Sequence, residues 1–272
     1  MLDTDKKYTY IYDGSFEGFL CCVYTFYKDK DKLVAIKTDD EQIEFFIKTK
    51  AIVSDDNNFN TVYDAIENKL SFDFLNIVYN AFLSDTPNKE LKILDFIVLG
   101  FKYGDKIINN ISNHTVIDVL KLSQKVLAER HKLYGLVRFK QINNYLFSVI
   151  EPTHNIIPII GNHFRKRYPN ENWFIYDLNR ETLVMHNNGN LQLLSMSKEK
   201  MKPYLEYKDD FETLWKTYHK AMSIESRKNE RCQRNFGTII FWWANKKIWR
   251  TQLKNCIIIL DKNTIKGGSP YE

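Results

Sequence analysis

Three groups of residues in this chain have side chains suited to chemistry. The first gathers around the middle. Glu129, Arg130 and His131 close a helical stretch, Glu151-Pro152-Thr153-His154 ends an apolar one, and His163 is followed by Arg165, Lys166 and Arg167. A carboxylate beside imidazoles can bind a metal, or supply a base and the group that orients it. Glu151, His154, His163 and His131 are therefore the catalytic candidates. No zinc signature is present, since the chain has neither a His-Glu-x-x-His helix nor paired Cys-x-x-Cys, and no metal is assigned. The same histidines also suit structural roles, and His131 near a helix C-terminus would be favoured by the helix dipole.

The second group is Trp215-Lys216-Thr217-Tyr218-His219-Lys220, followed by Ile224 to Asn235. Arg227, Lys228, Arg231 and Arg234 fall at helical spacing, so a helix would gather them on one basic side. Such cations neutralise phosphates, and Trp215 can stack on an exposed base. With Lys216 and the Arg165, Lys166, Arg167 run, they form the candidate nucleic-acid-binding set. A solvated amphipathic helix explains the same pattern. The third group, Gly14-x-x-x-Gly18, lacks the Gly-Lys-Ser/Thr ending of a phosphate loop and reads as a turn entering a helix.

The elements that must hold these groups follow from periodicity. Tyr8 to Tyr12 reads as a strand, Asp13-Gly14 as a turn, and Ser15 as the N-cap of a helix to about Tyr27. Leu33 to Lys37 is another short strand. From Phe59 to Tyr134 the pattern is helical, with Ser71 as a cap, Gly104 as a stop and Gly135 ending the longest helix. The period then changes to two. Leu136 to Lys140 and Tyr145 to Ile150 form a hairpin about Asn143-Asn144, and a helix from about Ile156 to Tyr168 follows. Strands at Trp173 to Asp177, Thr182 to His186 and Leu191 to Ser195 come next, and a helix opens at Asp209 or Asp210. The class is α+β, with a largely antiparallel central sheet with hairpins, flanked by a helical N-terminal half and C-terminal helices.

Composition narrows the functional classes. A hydrophobic fraction of 44% with 18 Phe and 16 Tyr describes a folded chain, and 272 residues bury a real core. Charge is uneven along it. Residues 1–130 carry 16 Lys/Arg against 21 Asp/Glu, a net −5, whereas residues 195–272 carry 16 against 9, a net +7. A polyanion would therefore meet the back half. The opening residues are polar rather than a signal peptide, and no apolar run is long enough to span a bilayer. A cytoplasmic protein with reduced Cys21, Cys22, Cys232 and Cys256 and no membrane partner is expected.

Four segments in order resemble a bacterial family of unknown function assigned to DNA metabolism or DNA repair. They are Tyr12-Asp13-Gly14-Ser15-Phe16-Glu17-Gly18-Phe19-Leu20-Cys21-Cys22-Val23-Tyr24; Glu129 to Lys132 with Gly135 to Phe139; Ile150 to His154 with His163-Phe164 and Trp173 to Asp177; and Trp215-Lys216 through Asn229. The matching motif positions are Tyr12, Asp13, Gly14, Ser15, Glu17, Arg138 and Asp177. The resemblance implies a DNA-repair setting and a radical S-adenosylmethionine protein as partner, encoded beside it. Some members are fused to a uracil-DNA-glycosylase-like domain. It implies no catalytic residue. The iron–sulfur cluster and S-adenosylmethionine are expected only on the partner, because a cluster needs three grouped cysteines and this chain has none so spaced. One α+β domain over residues 1–236 is expected, helix-rich over 13–134, strand-rich over 135–195 and basic and helical over 196–236. Residues 237–272 depart from the family's short Pro-basic-Tyr-Trp close and carry no functional assignment. The leading expectation is a nucleic-acid-binding accessory; the alternative is an enzyme acting on a damaged or modified nucleobase through the Glu/His residues.

Overall fold

Strand β1 (Lys7–Tyr12) is the centre of the first sheet, flanked by β2 (Lys32–Thr38) and β3 (Lys48–Ala51), both parallel to it. The computed structural model describes residues 7–30, 32–39, 48–207 and 221. The chain divides into two compact units between Ala128 and Glu129, inside helix α5 (His114–Leu136).

In the first unit, α1 (Phe16–Asp29) is the crossover between β1 and β2, as parallel neighbours require. Ser15 starts it, accepting a hydrogen bond from the Gly18 amide at 2.8 Å. Lys30, left-handed at φ 52°, ends it. Three more helices follow: α2 (Asp56–Lys69), α3 (Phe72–Phe82) and α4 (Lys89–Tyr103). Asp55 and Ser71 cap α2 and α3 through their side chains. The buried faces of these elements supply Tyr10, Phe19, Ile66, Phe74, Ile93 and Phe96. Each such side chain contributes roughly 1.5–3 kcal/mol by leaving water. Phe74 and Phe96 stack at 4.4 Å. Gly100 leaves room for this pair, since a Cβ there would lie 2.5 Å from the Phe74 ring.

The second unit is built on a five-stranded sheet in the order β4 (Lys140–Ile142), β5 (Tyr145–Ile150), β6 (Trp173–Asp177), β7 (Thr182–Asn187), β8 (Asn190–Ser195). Tight turns make β4–β5 and β6–β7–β8 antiparallel, with Asn143, Asn188 and Gly189 at positive φ. β5 and β6 are parallel and joined through α6 (Ile157–Arg167). All of β6 is buried, so its residues need not alternate. Phe174 and Tyr176 join Phe147, Leu183 and Met201, the last from α7 (Lys198–Glu206). Trp173 meets Phe164 of α6. Gly161 brings α6 close to the sheet, where a Cβ would lie 2.9 Å from Val184.

The α+β class is as expected, with two differences. The sheets are partly parallel, because β3 and the α6 crossover add pairings that hairpin signals do not announce. Gly135 does not end α5: it stays helical, and the Val137 amide still bonds the Leu133 carbonyl at 2.9 Å. The strand expected from Leu136 therefore begins only at Lys140. Among the described residues, no helix is long and apolar enough to cross a membrane.

Candidate functional site

The second unit brings one predicted histidine against a residue that sequence reasoning passed over. His163 sits on α6 and Tyr134 on α5, and their rings stack at 3.8 Å and 11° from parallel. The Arg130 guanidinium lies 5.6 Å from the Tyr134 ring centre, within cation–π range, and His131 meets the same ring at 6.3 Å. Arg130 and Tyr134 are one helical turn apart, as are His163 and Arg167, so each helix presents a ring and a guanidinium together. Nε2 of His163 and Nε of Arg130 are buried and find no hydrogen-bond partner among the described residues. Burial pushes the His163 imidazole below its ordinary pKa, and Arg167 and Arg130 push it further the same way.

Arg165, Lys166 and Arg167 form the last turn of α6 and are all exposed. Cations there are favourable to the helix dipole, so part of their role is local. The arrangement nevertheless joins an exposed cationic turn of α6 to a partly buried aromatic stack made between α5 and α6. Such a surface can hold phosphates and present a ring to a base.

Glu151 and His154 lie on the turn between β5 and α6 of the same unit. Both are half-buried. The turn is gripped from two sides. The Glu129 carboxylate accepts the amides of Thr153 and His154, each at 2.8 Å. Arg180 donates to the carbonyls of Pro152 at 3.1 Å and Thr153 at 2.6 Å. Arg180 is itself held by the Asp177 carboxylate at 3.2 Å. Asp177, fully buried, also accepts the backbone amides of Asn179 and Arg180. Burial pushes the Asp177 carboxyl up, and Arg180 and the two amides only partly offset that. Among the described residues, no group of three His, Cys, Asp or Glu is placed to hold a metal ion.

The motif positions divide between structural jobs. Arg138 donates to the carbonyls of Gly135 at 2.7 Å and Val137 at 3.0 Å, satisfying backbone at the end of α5. Tyr12 donates to the buried Glu90 at 3.2 Å in the first unit. Gly14, at φ 79°, makes the turn after β1. Asp13 accepts from the Ser15 amide and hydroxyl at 2.9 and 2.6 Å and from the Ser54 hydroxyl at 2.6 Å. Partial burial would raise its carboxyl, but these hydrogen bonds together hold it below the ordinary value. Glu17 lies in the first turn of α1, where a negative charge suits the dipole. Trp215, Lys216, Arg227, Lys228, Arg231 and Arg234, with the helix expected from Asp209 or Asp210 and the tail 237–272, lie outside the described residues.

Sequence reasoning missed Tyr134 and the gripping role of Arg180. The first was legible as an Arg-x-x-x-Tyr turn on a helix; the second needed the tertiary fold. A family model described as a domain of unknown function, DUF4130, matches residues 87–243. No curated protein matches the chain.

Proposed function

We propose that this chain, which belongs to the DUF4130 family of unknown function, is a nucleic-acid-binding protein of bacterial DNA repair or DNA metabolism. In this reading it works in the cytoplasm as an accessory to a radical S-adenosylmethionine enzyme, which carries the cluster and its cofactor. One observation supports it most. The exposed Arg165-Lys166-Arg167 turn continues from His163, which stacks on Tyr134 beside Arg130. Phosphate contacts supply affinity and ring faces supply stacking for unpaired bases. The net +7 of residues 195–272 adds to the same attraction.

The test is binding of labelled single-stranded and damaged DNA over a range of salt, with and without the radical enzyme. Arg165→Ala with Lys166→Ala, and separately Arg227→Ala with Arg231→Ala, should each weaken binding and flatten its salt dependence. Salt-insensitive or absent binding in both settings would overturn the proposal.

A second reading, an enzyme acting on a modified nucleobase, draws support from the doubly gripped turn beside Glu151 and His154. Catalytic groups gain from such fixed backbone. Turnover of a damaged oligonucleotide that vanishes in Glu151→Gln would favour it over the accessory role.

A further inference from the structure

We infer that the α6 surface takes up a proton at His163 when it binds a phosphate-bearing strand, so that binding and acidity are coupled there. The inference rests on the nucleic-acid reading above and concerns the regulation of that site. Its basis is the placement of the imidazole. One ring face lies 3.8 Å from Tyr134 on α5, and Phe164 meets it edge-on at 5.1 Å. The charges that bear on it are cationic: Arg167 one turn further along α6, and Arg130 on α5. His131 on α5 touches the same Tyr134 ring.

In the free chain this setting opposes an imidazolium twice. Burial does so most, with no acceptor among the described residues for a second N–H at the buried Nε2, and the Arg167 and Arg130 guanidiniums add their repulsion. A phosphate held by Arg130 or Arg167 reverses the second of these effects. Its negative charge offsets the guanidiniums and favours the protonated ring, and the proton comes from solvent with no covalent step. By reciprocity, whatever raises proton affinity on binding also raises strand affinity on acidification. Tyr134 keeps the ring in place in both states, since its face accepts a neutral imidazole by stacking and an imidazolium by cation–π attraction.

The experiment measures affinity of the full chain for a short fluorescein-labelled single strand across about pH 5.5 to 8, where histidine titrates. Ionic strength is held fixed, and wild type is compared with His163→Gln. Wild type should tighten on acidification by up to about tenfold per pH unit, the limit for one linked proton. His163→Gln should lose most of that slope, whatever its affinity at neutral pH. An unchanged slope in His163→Gln, or no slope in wild type, overturns the inference while leaving the nucleic-acid reading standing. Absent binding at every pH and salt overturns both. Should His163→Gln fail to fold, calorimetry of wild type in buffers of different ionisation heat decides: close to one proton taken up per strand supports coupling, and none contradicts it.

Discussion

Arg180 pairs with the fully buried Asp177 at 3.2 Å and, from that anchor, holds the backbone of Pro152 and Thr153. The pair therefore ties the end of β6 to the turn leaving β5. Breaking a buried pair by removing one partner leaves the other uncompensated. Asp177→Ala should cost about 3 kcal/mol of unfolding free energy in denaturant titration. Asp177→Asn should cost less, because the amide keeps an acceptor for the Asn179 and Arg180 amides and carries no charge to bury. Hydrogen exchange at Thr153 and His154 should rise in Arg180→Ala. Unchanged exchange would show that Glu129 holds the turn alone.

Gly18 is required by Asp13 rather than by its own helix. A Cβ at position 18 would lie 2.3 Å from Asp13 Oδ1, whose carboxylate is tied to Ser15 and Ser54. Gly18→Ala should destabilise by about 1–2 kcal/mol through those hydrogen bonds. In an Asp13→Ala background the same change should instead gain up to about 1 kcal/mol, the helix preference of Ala over Gly. Thermal unfolding of the four proteins measures the cycle, and additive effects would refute the link.

Cys21 and Cys22 should be inert. Both are buried in α1, and burial pushes both thiols up, Cys22 far above the ordinary range, so little thiolate exists at neutral pH. Mass mapping after alkylation of the native chain should leave both unlabelled, with labelling only on denaturation. Rapid native labelling of either would contradict the packing of α1.

His163 should make stability fall with acidification. Its folded-state pKa is lowered, so below the ordinary value of about 6.5 the unfolded chain takes a proton that the folded one resists. Its contribution is intact above that value and is lost progressively beneath it. Urea midpoints for wild type and His163→Gln should therefore converge or cross as pH falls from about 7.5 to 5.5. Parallel curves would show that neither burial nor Arg167 and Arg130 disfavour the imidazolium in the folded chain.

The local elements were largely legible, because their signals are local. Ser15 and Ser71 cap the helices that their sequence context announces, and Asn143 and Asn188-Gly189 turn the hairpins as their types demand. Gly135 misled, since a glycine ends a helix only where the chain needs positive φ, and here the helix continues to Leu136. Short β3 carried little signal: Lys48-Thr49-Lys50-Ala51 is a charged edge strand without an apolar alternation. The candidate site was half legible. His163 and the Arg165–Arg167 run stood out by type, whereas the Tyr134 partnership depends on α5 meeting α6. Arg180 was hidden for the same reason, its partners being carbonyls more than twenty residues away in sequence.

The most direct test of the central claim is fluorescence anisotropy of a labelled single strand titrated with the full chain at several salt concentrations. Wild type is compared with the Arg165→Ala, Lys166→Ala, Arg167→Ala triple variant. Wild-type affinity should fall linearly in a log–log plot against salt. The triple variant should bind more weakly, with a slope shallower by roughly 0.7 for each phosphate it no longer neutralises. Identical affinity and slope in the two proteins would contradict the claim, for then the exposed turn of α6 that continues from His163 takes no part in holding a strand.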